Sequence, residues 1–311
     1  MKKVLIFGGS GQIGRHLIRR LTKKNYLVTV VTRNLHRKSA ELKIQGNPGY
    51  IEIVESNIFD ENQLNNLFEN KDVCINLIGI LYEKGNNTFK NIHDNFPTIV
   101  SKICSKKKLK QFIHISALGI EKAKDSDYAI SKLNGEKNIF NNFSKSTILR
   151  PSLVYSVDDN FTTNMMSLLS ILPCFPLYYK GKTKFSPIHV SEMADIILNV
   201  VNKNICSEII ECAGPDIITF KEIIEKLLIL IGKKTMLLPL PNIIAKINVA
   251  LLEKFPKPLI TMDQLRLLKY DNILTRENKS NFDLGIKSEL KFEDEVKKYA
   301  YMWKKGGQYS K

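Results

Sequence analysis

The sequence predicts an α/β fold in which helices cover both faces of a doubly wound parallel sheet. Apolar strand patterns alternate with helical patterns over residues 1–156, and a glycine-rich turn joins the first strand to the first helix. From residue 157 onward the pattern becomes helical and proline-rich. We therefore expect residues 1–156 to form the core. Residues 157–311 should form a small, mostly helical C-terminal lobe that returns late strands, near 184–189 and 208–213, to the core sheet.

Six strands and the helices between them can be assigned in order along the core. Each strand is a short apolar run, and each helix repeats apolar residues at spacings of three and four. The strands are expected at residues 2–7, 27–33, 50–56, 72–79, 110–117 and 146–152. The helices are expected at residues 12–24, 60–70 (with Asp60 as N-cap), 88–107 and around Tyr128 and Lys132. Strict alternation implies right-handed crossovers and therefore parallel strands.

The formal net charge of +16 arises from 47 Lys and Arg against 31 Asp and Glu. The basic residues are dispersed, and the one dense run, SKKKLK at 105–110, has no interleaved aromatic residues to stack on bases. This pattern argues against a nucleic acid partner. A general attraction to an acidic partner or a membrane surface stays open.

The cysteines and histidines predict neither a disulfide framework nor a metal site. Five cysteines, an odd number, form no C-x-x-C pair, which indicates a reducing compartment. The five histidines have no metal-ligand spacing. The opening MKKVLIFGG has too short an apolar run for a signal peptide and reads as the first strand. We expect no presequence before the fold and a cytoplasmic location.

No apolar run approaches the roughly 20 residues of a membrane-spanning helix. The longest candidate, MLLPLPNIIAKINVALL, is interrupted by two prolines and a lysine. Its second half places Ile243, Ile247 and Leu251 at helical spacing, which predicts an amphipathic helix. We expect its apolar face to pack on the protein's own domain in preference to a membrane or a partner.

The stretch LIFGGSGQIGRHLI carries the first functional motif, because Gly8, Gly11 and Gly14 follow a strand and open a helix. Glycines at this spacing allow a sharp turn, a close approach of pyrophosphate and tight packing of helix on strand. The helix start at Gln12 and Ile13 offers unpaired N–H groups and a positive dipole to phosphate. The motif predicts a Rossmann-like core that binds a nicotinamide dinucleotide.

The end of the second strand favours NADP(H) over NAD(H). A site for NAD needs an acid there for the ribose 2′-hydroxyl, but VVTRNLHRK contains none, and no acid occurs before Glu41. Arg33 stands where the acid would be, and a guanidinium suits a 2′-phosphate. Arg15, Arg37 or Lys38 could assist.

Two further loops are candidate cofactor contacts. Asn57 follows the third strand, where its amide could meet the adenine amino group, and Ile58 could pack on the ring. Leu77 and Gly79, in NLIG after the fourth strand, offer a second close backbone passage over the cofactor. Each feature alone is equally compatible with ordinary packing or a turn.

Ser116, Tyr128 and Lys132 form a candidate catalytic set. Tyr128 and Lys132 lie four apart and share a helical face, and Ser116 ends the fifth strand. A neighbouring ammonium favours the phenolate and would lower the pKa of Tyr128 from its usual value near 10. The serine would orient a carbonyl or hydroxyl while Tyr128 transfers a proton. The alternative is that Y-x-x-x-K arises by chance in a lysine-rich chain.

These motifs resemble the short-chain dehydrogenase/reductase superfamily in its extended or atypical branch. More narrowly, the chain resembles the family that includes the nucleotide-binding accessory subunit of respiratory complex I (NADH:ubiquinone oxidoreductase) and its bacterial relatives. The resemblance runs over roughly residues 1–300 and is carried by GGSGQIGRHL, INLIGILYE, FIHISALG, YAISKLNGE, TILRPSLVY and TMDQLRLL.

The resemblance implies a single NADP(H)-binding Rossmann domain with a small C-terminal lobe. In the mitochondrial relatives it implies a largely structural nucleotide, in a subunit docked on the matrix side of the membrane arm. With no presequence visible, it implies here a bacterial cytoplasmic protein, peripheral on the inner face of the membrane.

The resemblance also assigns contacts to individual positions. It assigns the pyrophosphate to Gly8, Gly11 and Gly14, and the 2′-phosphate to Arg33. It assigns the ribose and nicotinamide side to Tyr128 and Lys132, and places Pro151 with Ser152 near the carboxamide. One departure is Ser156, which stands where the family has glycine and puts the loop over the nicotinamide in doubt.

Two function classes follow. The first is an NADP(H)-holding accessory or assembly protein of a respiratory complex. The second is an active NADP-dependent reductase, dehydrogenase or epimerase that uses Ser116, Tyr128 and Lys132 on a small, quinone- or lipid-like molecule. The stretch NMMSLLSILPCFPLYY is either a wall of that substrate pocket or the core of the lobe.

Overall fold

A computed structural model describes residues 1–255 and 258–309. The strands are β1 (Lys3–Phe7), β2 (Leu27–Thr32), β3 (Ile51–Glu55), β4 (Val73–Asn76), β5 (Gln111–Ile115), β6 (Ser146–Pro151), β7 (Val154–Tyr155), β8 (Cys174–Leu177), β9 (Lys184–Phe185), β10 (Ile188–His189), β11 (Glu208–Cys212), β12 (Ile218–Thr219), β13 (Met236–Pro239) and β14 (Lys279–Ser280). The α-helices are α1 (Gln12–Lys23), α2 (Leu35–Lys43), α3 (Glu61–Leu67), α4 (Phe96–Lys106), α5 (Asp127–Asn142), α6 (Thr162–Ile171), α7 (Val190–Lys203), α8 (Phe220–Ile231), α9 (Asn242–Leu252), α10 (Met262–Leu267) and α11 (Phe292–Ala300).

The main sheet confirms the predicted fold class. Within the described ranges it has eight strands in the order β14-β11-β6-β5-β4-β1-β2-β3, and every pairing is parallel. One face is covered by apolar residues of α1 and α7, such as Leu17 and Val200. The other is covered by α3, α4 and α5, through residues such as Phe96 and Ile139. The carboxyl ends of β1, β2, β4 and β5 therefore meet at one edge, where the predicted motifs lie.

The expectation that a strand near 184–189 joins the main sheet is wrong. Pro187 has no N–H to donate and divides this run into two strands of two residues each. The first, β9, pairs antiparallel with β12, and the second, β10, pairs with β7. The late strand near 208–213 does lie in the main sheet, as β11 between β6 and β14.

Two local features differ from the sequence prediction. Helix α2 was not predicted, because its residues show no clear apolar period; it starts where the Asn34 side chain accepts a hydrogen bond of 3.0 Å from Arg37 N. The long helix expected at 88–107 begins as a π-helical segment, Lys90–Asn95, before α4.

The C-terminal lobe has its own apolar core between α6, α8 and α11. Met166, Leu169, Phe175 and Leu177 are all buried in it, so the stretch NMMSLLSILPCFPLYY contributes to the core of the lobe. Trp303 is buried in the same core and donates to Ser167 Oγ at 2.9 Å.

Helix α9 contradicts the expectation that its apolar face packs on the protein. It contacts the lobe through the small residues Ala245 and Val249, which are buried. Ile243, Ile247 and Leu251 lie on the opposite face and are 75%, 59% and 59% exposed. Apolar residues occur on both faces of this helix, and the face with the smaller side chains is the one that docks. In the described parts of the chain, no helix is long and apolar enough to cross a membrane.

Candidate functional site

The glycine turn after β1 forms a cradle that side chains would fill. Gly8 has φ +79°, and a Cβ there would lie 3.0 Å from the Leu77 carbonyl carbon. A Cβ on Gly14 would lie 2.4 Å from the Gly9 carbonyl oxygen. Gly11 is the N-cap of α1 and has no side chain to cap the first turn. These distances show that the turn packs closely against the loop after β4 and that α1 packs closely against the turn, and the first backbone N–H groups of α1 have no side-chain cap.

The cradle meets the loop after β4, as predicted for a shared cofactor contact. Leu77 N donates to Phe7 O at 3.0 Å, which sets NLIG beside the turn at Gly8. A Cβ on Gly79 would lie 3.6 Å from Lys132 Nζ. The structure thus brings Gly8, Leu77, Gly79 and Lys132 into one row along the ends of the strands.

The basic residues proposed for a 2′-phosphate divide into two groups. Arg33 is exposed at the end of β2, and within the described chain neither its guanidinium nor that of Arg37 has an internal partner. Arg15 is instead paired with Glu41 at 2.8 Å and with Asp158. Of the four predicted contributors, Arg33 and Arg37 are the two left unpaired within the protein.

Two acids lie close to this position, and the sequence pattern did not indicate that either would pair there. Glu41 also accepts from Lys38 Nζ at 2.8 Å, so Lys38 is already neutralised. The carboxylate of Glu55, at the end of β3, accepts from Leu35 N at 2.7 Å at the start of α2. Glu41 is the first acid after β2 in the sequence, but its pairing with Arg15 and Lys38, and the contact of Glu55 with the start of α2, have no local sequence signal.

The loop after β7 closes over the start of α1. Ser156 donates from Oγ to Gln12 Oε1 or to Asp158 Oδ1, each at 2.7 Å. The pairing of Asp158 with Arg15 fixes the same loop to α1. The serine that replaces the family's glycine therefore contacts a predicted cofactor residue directly.

Asn57 and Ile58 are placed differently from each other. Asn57 is exposed, and its Oδ1 accepts from Phe59 N at 3.0 Å in a local turn. Ile58 is buried in the apolar cluster that contains Phe7 and Val31. For Ile58, ordinary packing accounts for the contacts present.

Tyr128 and Lys132 share the inner face of α5 beside Ser116. Lys132 is 3% exposed; its Nζ donates to Ile115 O at 3.0 Å and lies 5.8 Å from the centre of the Tyr128 ring. Ser116 is 4% exposed, and its Oγ has no hydrogen-bond partner in the part of the chain that the structure describes. Lys132 therefore contacts the backbone next to Ser116 and lies near the Tyr128 ring, while the role of the three residues stays a prediction.

The expected lowering of the pKa of Tyr128 is wrong. Burial, and secondarily the Asp263 carboxylate, raise the pKa of Tyr128 above its ordinary value. Burial also lowers the pKa of Lys132 to about 8, against a smaller opposing effect of Glu136. The phenol stays protonated at neutral pH and is a hydrogen-bond donor rather than a ready base.

His93 is a site residue that the sequence did not reveal. It lies on the π-helical segment, stacks on Phe89 and meets the Tyr128 ring edge-on at 5.1 Å. Its Nε2 accepts from Ile80 N at 3.1 Å, so its Nδ1 carries the proton and donates to Ser131 Oγ. Burial, helped by the charge on Lys132, lowers the pKa of His93 to about 2. A neutral His93 therefore positions both the Tyr128 ring and the loop after β4.

A buried ionic network underlies Ser116 and was also missed. Arg150 donates to both carboxylate oxygens of Glu136, at 3.0 and 2.5 Å, and is paired with Glu121. Burial raises the pKa of Glu136 to about 7, while the neighbouring Ser116 hydroxyl and the charge on Lys132 oppose that rise. Glu136 is one helical turn beyond Lys132, so the network holds this face of α5 against β6.

Asp263 of α10 clamps the start of α5. Its buried carboxylate accepts from Ser126 Oγ at 2.8 Å, from Asp127 N at 2.8 Å and from Tyr128 N at 3.1 Å. These bonds satisfy donors at the helix N-terminus that would otherwise be unpaired. The family-like segment TMDQLRLL thus fixes the turn that carries Tyr128.

Pro151 and Ser152 lie in a different set of contacts. Pro151 O accepts from Leu118 N at 3.0 Å. Ser152 Oγ accepts from Ser186 N at 3.0 Å and lies 2.6 Å from Asn272 Oδ1, which binds it to the lobe. Within the described residues no contact joins Ser152 to Tyr128 or Lys132.

The cleft beside the outer face of α5 is lined by both charged and apolar residues. It has a volume of about 770 Å³ and lies between Ile130, Asp127, Glu83, Phe255 and Arg266. In the residues described, no part of NMMSLLSILPCFPLYY lines it. Nor does any group of three or more His, Cys, Asp or Glu in residues 1–255 and 258–309 have an arrangement that could hold a metal ion.

The glycine cradle at the switch point of a parallel sheet defines a dinucleotide-binding protein of the Rossmann type. The chain belongs to the NAD dependent epimerase/dehydratase family, whose sequence model matches residues 4–213. It is 26% identical over 283 residues to the mitochondrial NADH-ubiquinone oxidoreductase 40 kDa subunit of Neurospora crassa, covering 90% of this chain and 74% of that protein. It is also 26% identical over 282 residues to the mitochondrial NADH dehydrogenase [ubiquinone] 1 alpha subcomplex subunit 9 of Arabidopsis thaliana, covering 87% and 70%.

Solved structures show the same fold. The dTDP-glucose 4,6-dehydratase of Bacillus anthracis, solved in complex with NAD, superposes with a TM-score of 0.71 at 14% identity over 99% of this chain and 98% of that one. The similarity to these two proteins confirms the resemblance to complex I subunits that the sequence predicted. The similarity to the solved structure confirms the Rossmann-like fold.

Proposed function

We propose that this protein holds NADP(H) as a largely structural ligand and associates with respiratory complex I as an accessory or assembly protein, from the cytoplasmic side of a bacterial inner membrane. The observation that carries this proposal is the similarity to complex I subunits over nine-tenths of the chain, lobe included. A likeness limited to the nucleotide-binding core would have favoured any dehydrogenase equally.

The residues present fit such a nucleotide. The glycine turn packs α1 closely on β1, and the uncapped N–H groups at the start of α1, where Gln12 and Ile13 lie, suit pyrophosphate. The unpaired guanidinium of Arg33 suits a 2′-phosphate, which favours NADP(H) over NAD(H). Lys132 and the hydroxyl of Ser116 are buried where the ribose and nicotinamide side would lie.

A structural role for the nucleotide agrees with the electrostatics of the site. Tyr128 has a raised pKa, so proton abstraction by this phenol is unfavourable at neutral pH. A ligand held at 100 times its Kd contributes about 2.7 kcal/mol to stability, enough to make its retention part of the fold. Tyr128 and Lys132 would then bind the ribose without taking part in a reaction.

Native co-migration tests the proposal. The tagged chain, released from native membranes with mild detergent, is expected to travel with NADH:ubiquinone oxidoreductase on a native gel and to contain bound NADPH when extracted. An Arg33→Ala variant should lose NADPH while a Lys43→Ala variant, altered at the far end of α2, should keep it. Recovery as a free protein without nucleotide would reject both parts.

The second candidate is an NADP-dependent reductase, dehydrogenase or epimerase, and the unpartnered Ser116 hydroxyl beside Tyr128 and Lys132 favours it. A bound nicotinamide would supply or accept the hydride. Ser116 would orient the reacting oxygen and Tyr128 would donate its proton. Tyr128→Phe should then abolish turnover with NADPH binding intact, whereas in a structural subunit the same variant should leave complex association unchanged.

A further inference from the structure

The outer face of α9 is an apolar surface without an internal partner. Eight of its eleven residues are apolar, yet only Ala245 and Val249 are buried. Ile243, Ile244, Ile247 and Leu251 are between 52% and 75% exposed. A helix with apolar residues on two opposite faces is normally enclosed by protein or lipid, so the exposed face requires a cover.

Exposed apolar residues also occur in the chain before and after the helix. Leu238 of β13, which leads into α9, is 38% exposed. Phe255 and Leu259, after the helix, are 62% and 56% exposed. The four exposed apolar residues on α9 form the largest such group on one described helix, whereas exposed apolar residues such as Ile44 and Ile217 have no exposed apolar neighbour in the sequence.

The charge around this face is complementary to an anionic surface. Residues 233–259 contain five lysines and one acidic residue, Glu253. Lys246 and Lys254 are exposed on α9 and directly after it. Lysine side chains at the border of an apolar stripe can bury their methylene stems while the ammonium reaches lipid phosphates. The +16 charge of the whole chain acts in the same direction.

The chemistry of the stripe favours lipid over protein. It is a single convex helix with aliphatic side chains, and the sequence from Asn242 to Phe255 contains no Trp, Tyr or Arg. Those three residue types dominate the energetics of protein–protein contacts. Insertion of an apolar helical face into the headgroup boundary of a bilayer needs only aliphatic area and flanking basic charge.

We propose that α9 is an in-plane bilayer contact, with Ile243, Ile247 and Leu251 inserted into an anionic lipid surface and Lys246 and Lys254 at its phosphates. The contact is monotopic and does not depend on nucleotide or on complex I. It would hold the lobe against the membrane while the dinucleotide site remains in the aqueous phase.

Vesicle flotation with the full-length protein tests this surface. The protein is mixed with vesicles of 70% phosphatidylethanolamine and 30% phosphatidylglycerol, or of phosphatidylcholine alone. It should float with the anionic vesicles, with weaker partitioning to the neutral ones and at high salt. Ile243→Gln/Ile247→Gln should reduce partitioning by about tenfold or more, because the favourable free energy of moving two isoleucine side chains from water into lipid is lost. Lys246→Gln/Lys254→Gln should reduce partitioning to the anionic vesicles only.

The matched control is Ile44→Gln/Ile217→Gln, since these isoleucines are 79% and 61% exposed against 75% and 59% for the tested pair. It should bind vesicles like the wild type, and circular dichroism should show all variants folded. Equal binding of the tested and control pairs would overturn the proposal. A dimer in solution that the Ile243→Gln/Ile247→Gln variant abolishes would also overturn it. So would a wild type that fails to bind vesicles together with a variant that no longer co-migrates with complex I. Either result would assign the face to a protein contact. Because vesicles contain no respiratory complex, failure here leaves the proposed function standing.

Discussion

At the scale of single residues, ion pairing decides which basic groups remain for a ligand. Arg15 and Arg33 both look like phosphate ligands in the sequence, but Arg15 is neutralised by Glu41 and Asp158. Arg33 is exposed and unpaired within the described structure. The proposed preference for NADP(H) therefore depends mainly on Arg33.

Arg33→Ala should weaken NADPH binding by on the order of 10- to 100-fold, because a charge-assisted bond to phosphate contributes about 1.5–3 kcal/mol. NADH binding should change little, since NADH has no 2′-phosphate. Isothermal titration with both nucleotides checks this, with Lys43→Ala as the control. Equal affinity of the wild type for NADH and NADPH would contradict the argument.

Burial of Lys132 predicts a pH dependence of stability. Its pKa falls from the ordinary 10.5 to about 8 in the folded protein. Between these values the unfolded chain binds more protons, so stability should rise with pH. The penalty for the buried charge is fully present below pH 8 and disappears as pH approaches 10.5, and its size is on the order of 3 kcal/mol.

Urea unfolding at pH 7.5, 8.5 and 9.5 checks this. The wild type should gain stability relative to Lys132→Met as pH rises over this range. The comparison with this variant removes the contribution of cysteines and tyrosines, which is common to both proteins. A constant difference between the two proteins would show that Lys132 titrates normally in the folded state.

At the scale of elements, α10 of the lobe determines the position of the first turn of α5. Asp263→Ala leaves the Ser126 hydroxyl and two N–H groups of α5 without their acceptor. We expect a loss of about 1–3 kcal/mol in the free energy of unfolding. NADPH affinity should fall as well, because Tyr128 and Lys132 lie on the displaced helix.

Thr219→Ala provides the matched control for this prediction. Thr219 caps α8 in the lobe through a capping box, and its loss should cost about 1 kcal/mol. Its NADPH affinity should equal that of the wild type. If both variants lost affinity in proportion to stability, Asp263 would have a general structural role and no specific positioning role.

The elements show which features a sequence can predict. The strands of the core and the glycine turn depend on neighbouring residues, and β1 to β6 lie where their apolar runs predicted them. The pairing of Arg15 with Asp158 and of Ser152 with Asn272 joins residues 143 and 120 positions apart, for which the sequence contains no local signal. Periodicity predicted α9 as a helix, but both faces are apolar, so it could not predict which face docks.

At the scale of the whole molecule, residues that follow the lobe helices complete the edge of the core sheet. β14 extends the main sheet beyond β11, so the sheet is completed by residues near the C-terminal end. Glu211 of β11 is fully buried, and its carboxylate accepts from Thr275 N at 2.7 Å, from Thr275 Oγ1 at 2.5 Å and from Asn278 Nδ2 at 3.2 Å. A core without the lobe would expose the edge of β11, and the buried Glu211 carboxylate would lose its hydrogen-bond donors.

The chain should therefore unfold as one cooperative unit. Trp303 is the single tryptophan and is buried in the lobe, so its fluorescence reports the lobe, while far-ultraviolet circular dichroism reports the whole chain. The two urea transitions should coincide, and NADPH, for which we propose a site on the core, should raise both midpoints equally. A fragment of residues 1–213 should fail to give a cooperative transition, because β11 then lacks β14 and Glu211 lacks its donors. A fluorescence transition at lower urea than the dichroism transition, or a stable fragment, would instead make the lobe a separate folding unit.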